Sequence, residues 1–363
     1  MPGNPVRSEL PDFISGLALA RDFYATVVRQ AIDVPHAAAL LGEGSEVLGY
    51  DQPRSTDHAW GPRLQVFVRQ PEQVDVVTRS LDARLPSDFR GWPVRSFSWE
   101  TNTVRHHVDV TLLGNWIEKQ IGLDPLAREL TTADWLAFPQ QKLLQVTAGH
   151  VFHDDFGDLH RLRGMLARYP CDVWLWAMAS QWHLIGNAEP RIGRTLEAGD
   201  RRGSALIAAR IVRLLMELSF LQARRYWPYD KWFGTAFSRL AMAPQLGPHL
   251  DAVLSAHDET SRIDSIHRAL RLLADQHNEL GVTARVQPTF GEFKVGIDHA
   301  VRPYRVINAG DFSEACKTAI TDAALRNLVP VGTFDQLTHA DDALVNFTTW
   351  PQQIGRTYGD LLK

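Results

Sequence analysis

The period of the hydrophobic pattern changes near residue 130, and that change constrains the fold more than any other feature. Before it, apolar residues come in short runs. RLQVFV (63–68) and RHHVDVTLL (105–113) alternate and are rich in branched residues, as strands are. AAALLGEGS reads as a short strand ending in a turn. Residues 9–32 place Phe13, Leu17, Ala20, Phe23 and Val27 at helical spacing, and 71–85 read as a helix with proline in its first turn. The order helix, strand, loop, strand, helix, strand belongs to an α/β or α+β domain. After it, TTADWLAFPQQKLLQVTAG opens on a cap-like Thr-Thr pair and continues at helical period. Helices are expected over 157–169, 171–187, 203–226, 247–255, 259–280 and 312–327, with breaks at Pro170, Pro190, Gly203, Pro228 and Gly281. The reading is an α+β chain of two domains, 1–130 and 131–363, the second mostly helical. A length of 363 residues at 45% hydrophobic content suits two cores.

Charge and composition exclude several classes. The net charge of -4 gives no overall basic excess for gripping long nucleic acid, so no DNA partner is expected. The opening MPGNPVRSELPDF lacks the apolar core of a signal peptide, and no run approaches the ~20 apolar residues of a bilayer span. The expectation is a soluble, cytoplasmic protein that does not engage membranes. Cys171 and Cys316 lie too far apart in sequence for a metal motif and form no disulfide framework; both read as buried apolar residues. No nucleophile elbow, Walker A loop or dinucleotide fingerprint occurs.

The stretch GSEVLGYDQPRSTDHAW (44–60) carries the main chemical signal. A Gly44-Ser45 turn after the first strand lets backbone amides approach phosphate. Asp57 follows just before the strand RLQVFV, and Asp109 sits in the strand RHHVDVTLL. If those strands are neighbours, both carboxylates reach one end of the sheet, where Mg²⁺ takes one or two carboxylates with phosphate and water. By itself a Gly-Ser turn with scattered aspartates is a weak signal, and Asp109 has an ordinary alternative in an ion pair with Arg105. Of the two histidines before Asp109, only His107 shares its face.

The segments G-S-E-V-L-G, S-T-D-H and W-G-P-R resemble the DNA polymerase β-type nucleotidyltransferase superfamily. DWLAFPQQKLLQVTAGHVFHD, RYPCDVWLW and RRYWPYDKWFGTAF look like the helical half of the DUF4037 family, which joins such a domain to a helical one. The resemblance implies a mixed sheet flanked by helices, followed by the helical domain. It implies a Mg²⁺-dependent, two-metal nucleotidyltransferase moving NMP from ATP or another NTP onto a hydroxyl. It places metal-binding catalytic carboxylates at Asp57 and Asp109, phosphate contacts at Gly44 and Ser45, and a triphosphate-neutralising lysine at Lys231. The family pattern reads D-H-D-W-G-P-R, whereas this chain has Ala59 at the second acidic position. A methyl group cannot hold Mg²⁺, so Ala59 marks either a weakened or binding-only chain or an introduced substitution; the intact surrounding motif favours the latter.

Other constellations have a functional and a plain reading. In RRYWPYDKWF (224–233), Tyr226, Trp227 or Tyr229 can stack a base, worth roughly 1–3 kcal/mol in single-strand systems, or simply cover a helix end. Arg210, Arg213, Glu217 and Arg224 form one stripe of the helix 203–226; Glu217 is a candidate base for the acceptor hydroxyl, and an Arg213–Glu217 pair on a solvated face is the default. His150, His153, Asp154, Asp155, Asp158 and His160 crowd GHVFHDDFGDLH, but their spacing matches no zinc motif and no metal site is expected there; the resemblance implies a connection between the domains, with polar residues lining a cleft. The acceptor expected from the modest acidity is a small molecule ahead of a protein or RNA end. Two other functions fit the residues: a non-catalytic nucleotide-binding sensor or partner-binding module, and a toxin–antitoxin component acting on tRNA through Arg210, Arg213, Arg224 and Arg225.

Overall fold

The computed structural model describes residues 11–57, 60–98, 102–294 and 300–363, with the backbone alone for Asp57 and Ser98. The chain begins α1 (Gly16–Thr26), β1 (Ala37–Leu40), β2 (Arg63–Val68) and α2 (Pro71–Arg84). A two-residue ladder of β3 (Asp88–Phe89) and β4 (Trp92–Pro93) leads into β5 (Arg95–Ser98), β6 (Thr103–Leu112) and α3 (Leu113–Ile121). Next come α4 (Thr132–Ala137), α5 (Gln140–Thr147), β7 (His150–Asp154) and α6 (Asp158–Leu166). The long helices follow: α7 (Cys171–Glu197), α8 (Arg201–Gln222), α9 (Asp230–Phe237), α10 (Ala243–Ser255) and α11 (Glu259–Glu279). A hairpin of β8 (Phe290–Lys294) and β9 (Val301–Ile307) precedes α12 (Ala309–Ala319), α13 (Ala323–Asn327), α14 (Phe334–Thr338), α15 (Asp342–Asn346) and α16 (Thr349–Leu361). The fold class is α+β. No described helix is long and apolar enough to cross a membrane.

The chain divides into two units, Met1–Glu129 with Lys142–Ala167, and Leu130–Gln141 with Arg168–Lys363. The first holds a five-stranded mixed sheet in the order β5-β6-β2-β1-β7. β2 and β6 run parallel with Leu64 opposite Val108 and Gln65 opposite Asp109; the other pairings are antiparallel. Alternation gives each strand two faces. Leu64, Val66, Val108 and Val110 point to the core built with Phe23, Tyr24 and Val28 from the N-terminal segment and Val77 and Leu81 of α2. Arg63, Gln65, Arg105, His107 and Asp109 take the opposite face, as the register requires. The segment 142–167, which follows the expected boundary at 130, belongs to this first unit because β7 pairs with β1.

Among the described residues, the regular structure of the second unit is helical apart from the β8–β9 hairpin. Two expected breaks are helical. α7 continues through Pro190, although a proline inside a helix costs ~3 kcal/mol. The helix is buried along most of its length, and Trp182 alone, fully enclosed and stacked 4.6 Å from Phe312, contributes roughly 3 kcal/mol of apolar burial. Gly203 lies within the first turn of α8, whose N-cap Asp200 accepts its N–H at 2.8 Å; the residue follows a cap and does not interrupt the helix. Cys171 is exposed at the start of α7, against the expectation, whereas Cys316 is buried and its thiol is pushed up to about 12.

His277 and Asp335 are among the ionisable groups enclosed in this unit. His277 has no exposed surface; its Nδ1 accepts from Trp182 Nε1 (3.2 Å), its Nε2 lies 3.0 Å from Thr283 Oγ1, and burial pulls it down to about 4. Asp335 accepts the Gln140 N–H (2.9 Å); burial pushes its carboxyl up to about 7, with the Glu217 charge pushing the same way.

Candidate functional site

The Gly44–Ser45 turn leaves the end of β1 on a backbone that favours glycine: Gly44 has φ +128°. A Cβ there would lie 2.6 Å from the Glu46 carboxylate oxygens and against Arg63 Nη2, so the chain approaches its neighbours closely. Among the described residues, the N–H groups of Gly44 and Ser45 and the Ser45 hydroxyl have no hydrogen-bond partner. The Ser45 carbonyl is used, accepting from Tyr50 N–H at 2.8 Å. Among the described residues the turn thus keeps donors without protein partners while the Ser45 carbonyl is tied back.

Two cations flank it, Arg63 and Lys142. Arg63, the first residue of β2, donates from Nε to Glu46 Oε1 (2.7 Å) and from Nη2 to the Glu43 carbonyl. Glu46 is 3% exposed, and the Arg63 side chain that meets it is half-buried. Lys142 of α5 is also buried, and its amine lies 3.2 Å from Glu43 Oε1. The Glu43 side chain is 70% exposed, a loosely held partner for a buried lysine. α5 is fixed against the turn by Gly42 N–H donating to the Gln145 carbonyl at 2.8 Å. Asp51 ties the next loop to α1, accepting from Gly16 N–H (2.7 Å) and Trp60 Nε1 (3.1 Å). A buried lysine on an otherwise amphipathic helix is the one sequence-level signal that points toward Lys142.

Asp57 ends a 3-10 turn, Pro53–Asp57, six residues before β2. Its side chain and Ala59 lie outside the described residues. Asp109 stands on β6, adjacent to β2 as the site requires. Its Oδ1 accepts from Arg105 Nη2 at 2.6 Å, and Oδ2 has no partner among the described residues. The carboxylate is 47% exposed. A hard cation therefore has one oxygen available here, beside a guanidinium that opposes it. Asp109 fits Mg²⁺ as a single ligand. His107, on the same face, bonds Ser96 Oγ through Nε2 at 2.8 Å. Burial, with Arg105 and Arg63 adding, holds its imidazole below the usual value and keeps it neutral. A small hollow lined by Trp60, Pro62, Arg63, Pro93, Ser96 and His107 opens at this end of the sheet.

The remaining sequence-derived residues lie in the second unit. Both oxygens of Glu217 are engaged, Oε1 by Arg213 Nε (2.8 Å) and Oε2 by Gln181 Nε2 (3.1 Å). Arg213 also reaches Asp230 at 2.7 Å and covers the Phe233 ring. The Arg213–Glu217 pair is the one that helical spacing gives by default, although Glu217 is buried and not on a solvated face. Lys231 is exposed near the Trp232 ring at 5.0 Å. Tyr229 caps α9, partly exposed, with its hydroxyl accepting from Trp232 Nε1 (2.9 Å). Tyr226 and Trp227 are buried packing residues.

Residues 135–233 match the family model described as Domain of unknown function (DUF4037). No curated protein matches the chain. Among solved structures the chain is similar to a nucleotidyltransferase-like protein from Exiguobacterium sibiricum 255-15, at 13% identity over 76% of this chain and 82% of that one, with a TM-score of 0.32. The matched residues overlap the segments in which the sequence resembles that family.

Proposed function

We propose that the chain binds a nucleoside triphosphate at the Gly44–Ser45 turn and transfers its nucleotidyl group to a hydroxyl acceptor, with turnover weakened by Ala59. The observation that carries this reading is the pair of unpartnered N–H groups at Gly44 and Ser45, set beside two cations. Such a turn is a concave donor site for phosphate oxygens. Lys142 is the cation best placed to neutralise phosphate there, because the exposed Glu43 is readily replaced as its partner. Arg63 is already committed to Glu46 and shapes the turn. Asp109, with Asp57, would hold Mg²⁺ carried in by the triphosphate, and the ion supplies charge neutralisation at the transferred phosphoryl group. ATP is the nucleotide favoured, and a small molecule the acceptor. Neutral His107 lines the same face, where it donates or accepts a hydrogen bond without adding positive charge.

The Arg105–Asp109 pair favours a second reading, a nucleotide-binding sensor without transfer, since the guanidinium already occupies one oxygen of the carboxylate. One experiment separates the two. Purified protein and its Ala59→Asp variant are incubated with labelled NTP, Mg²⁺ and a panel of hydroxyl metabolites. Transfer that rises at least tenfold on Ala59→Asp supports the enzyme. Nucleotide binding by calorimetry with no transfer in either protein supports the sensor, and no nucleotide binding in either one removes both.

A further inference from the structure

The segment 149–160 fails as a zinc motif when read alone, because its third donor comes from elsewhere in the chain. His36 immediately precedes β1, and β1 pairs with β7 so that Ala37 faces Asp154 and Ala38 faces His153. In that antiparallel register His36, His153 and Asp155 fall on one face of the two-strand edge. One nitrogen from each ring and one Asp155 oxygen lie within 4.8 Å of one another. The backbone locks the cluster: His36 N–H donates to Asp155 Oδ2 (3.0 Å) and Asp155 N–H to the His36 carbonyl (3.2 Å).

The tautomer of His36 follows from its partners. Nδ1 lies 2.9 Å from the Val34 carbonyl, which only accepts, so Nδ1 carries the proton. Nε2 is then a lone pair, and it accepts the Tyr24 hydroxyl at 3.0 Å. A ring that donates one N–H to a backbone carbonyl and keeps a lone pair on its other nitrogen has the outer-sphere arrangement of a metal-ligating histidine. His153 Nε2 lies 2.9 Å from Asp155 Oδ1, and the two side chains are 25% and 39% exposed, which leaves a solvent path to the cluster. The rings of His36 and His153 approach to 5.0 Å between centroids.

We infer that His36, His153 and Asp155 form a binding site for Zn²⁺ or a similar first-row divalent ion, separate from the nucleotide turn. Two imidazoles and one carboxylate suit such ions and not Mg²⁺, with water from the solvent side completing the coordination. The ion replaces the Tyr24–His36 and His153–Asp155 hydrogen bonds with bonds to the same groups. β1 separates this site from Gly44: four residues of strand span roughly 13 Å. The bound ion would clasp edge strand β7 to β1, so it acts on the stability of the first unit.

The test uses full-length, chelator-stripped protein titrated with Zn²⁺ in excess Mg²⁺, read by calorimetry and by the thermal midpoint. Expected are one ion per chain, a raised midpoint, and visible absorption when Co²⁺ substitutes. His153→Gln and Asp155→Asn, both at accessible positions, each weaken uptake at least tenfold, while Asp109→Asn leaves it unchanged. His36→Gln does the same where circular dichroism shows it folded. Absence of micromolar uptake overturns the inference. So does uptake that survives both His153→Gln and Asp155→Asn, or that Asp109→Asn alone removes.

Discussion

Arg105 and Asp109 sit four residues apart on β6, leave the same face of the strand, and meet with Nη2 2.6 Å from Oδ1. The carboxylate that a nucleotidyl-transfer site needs is thereby held by a cation from its own strand. Arg105→Gln removes that competitor. With a non-hydrolysable NTP present, Mg²⁺ affinity by calorimetry rises about two- to fivefold, the worth of a partly exposed ion pair. An unchanged affinity excludes Asp109 as a ligand.

Gly44→Ala tests the turn. At φ +128° and with Glu46 and Arg63 against the added methyl, the substitution costs about 1–3 kcal/mol in denaturant unfolding of the first unit. Nucleotide affinity falls at least tenfold in protein that remains folded. Equal affinity in the two proteins places the triphosphate elsewhere.

Glu46→Ala leaves the half-buried Arg63 without its counter-charge and destabilises the first unit by about 1–3 kcal/mol. Pairing Glu46→Leu with Arg63→Met removes both charges together and restores most of that loss. A double variant as unstable as the single one means that the cost comes from lost packing and not from the stranded guanidinium.

His277 sets a pH limit on the second unit. Its folded value, about 4, lies below the ordinary 6.5. Below pH 6.5 the unfolded chain takes up a proton that the folded one refuses. The stabilisation is therefore complete above 6.5 and lost as pH falls to about 4, by on the order of 3 kcal/mol. Chemical unfolding between pH 4 and 7 shows this slope, and His277→Gln flattens it.

Asp335 acts in the opposite sense. With its folded value raised to about 7, the carboxyl is stably neutral in the fold, and stability is lost as pH climbs from about 4 through 7. Asp335→Asn raises the thermal midpoint by a few degrees at pH 8 and leaves it unchanged at pH 4.5. A midpoint shift of the same size at both pH values indicates altered packing in place of the titration.

The sequence showed some of this clearly. Arg63–Val68 is legible as a strand because branched residues dominate it, and the period of two on β6 shows that Arg105, His107 and Asp109 share a face. β7 is not legible: HVFHD is partly buried, carries three polar side chains and follows a turn, so it reads as a connection. Pro190 and Gly203 mislead because breaker propensity is local, whereas the burial around Trp182 and the Asp200 cap that override it are not. Lys142 becomes part of the site only after α5 folds against the turn and meets Glu43, a relationship carried by no spacing. The same holds for His36, which meets His153 across 117 positions of sequence.

The route of the chain has a practical outcome for dissection. It leaves the first unit after Glu129, returns at Lys142, and departs again after Ala167. A fragment ending near residue 130 would lack β7 and bare the β1 edge, whose Ala37–Leu40 backbone and apolar side chains are all enclosed in the intact protein. Such an edge invites pairing with other copies. Truncation at the apparent domain boundary should yield insoluble material, and a self-standing N-terminal piece needs residues 142–167 grafted on through a new linker.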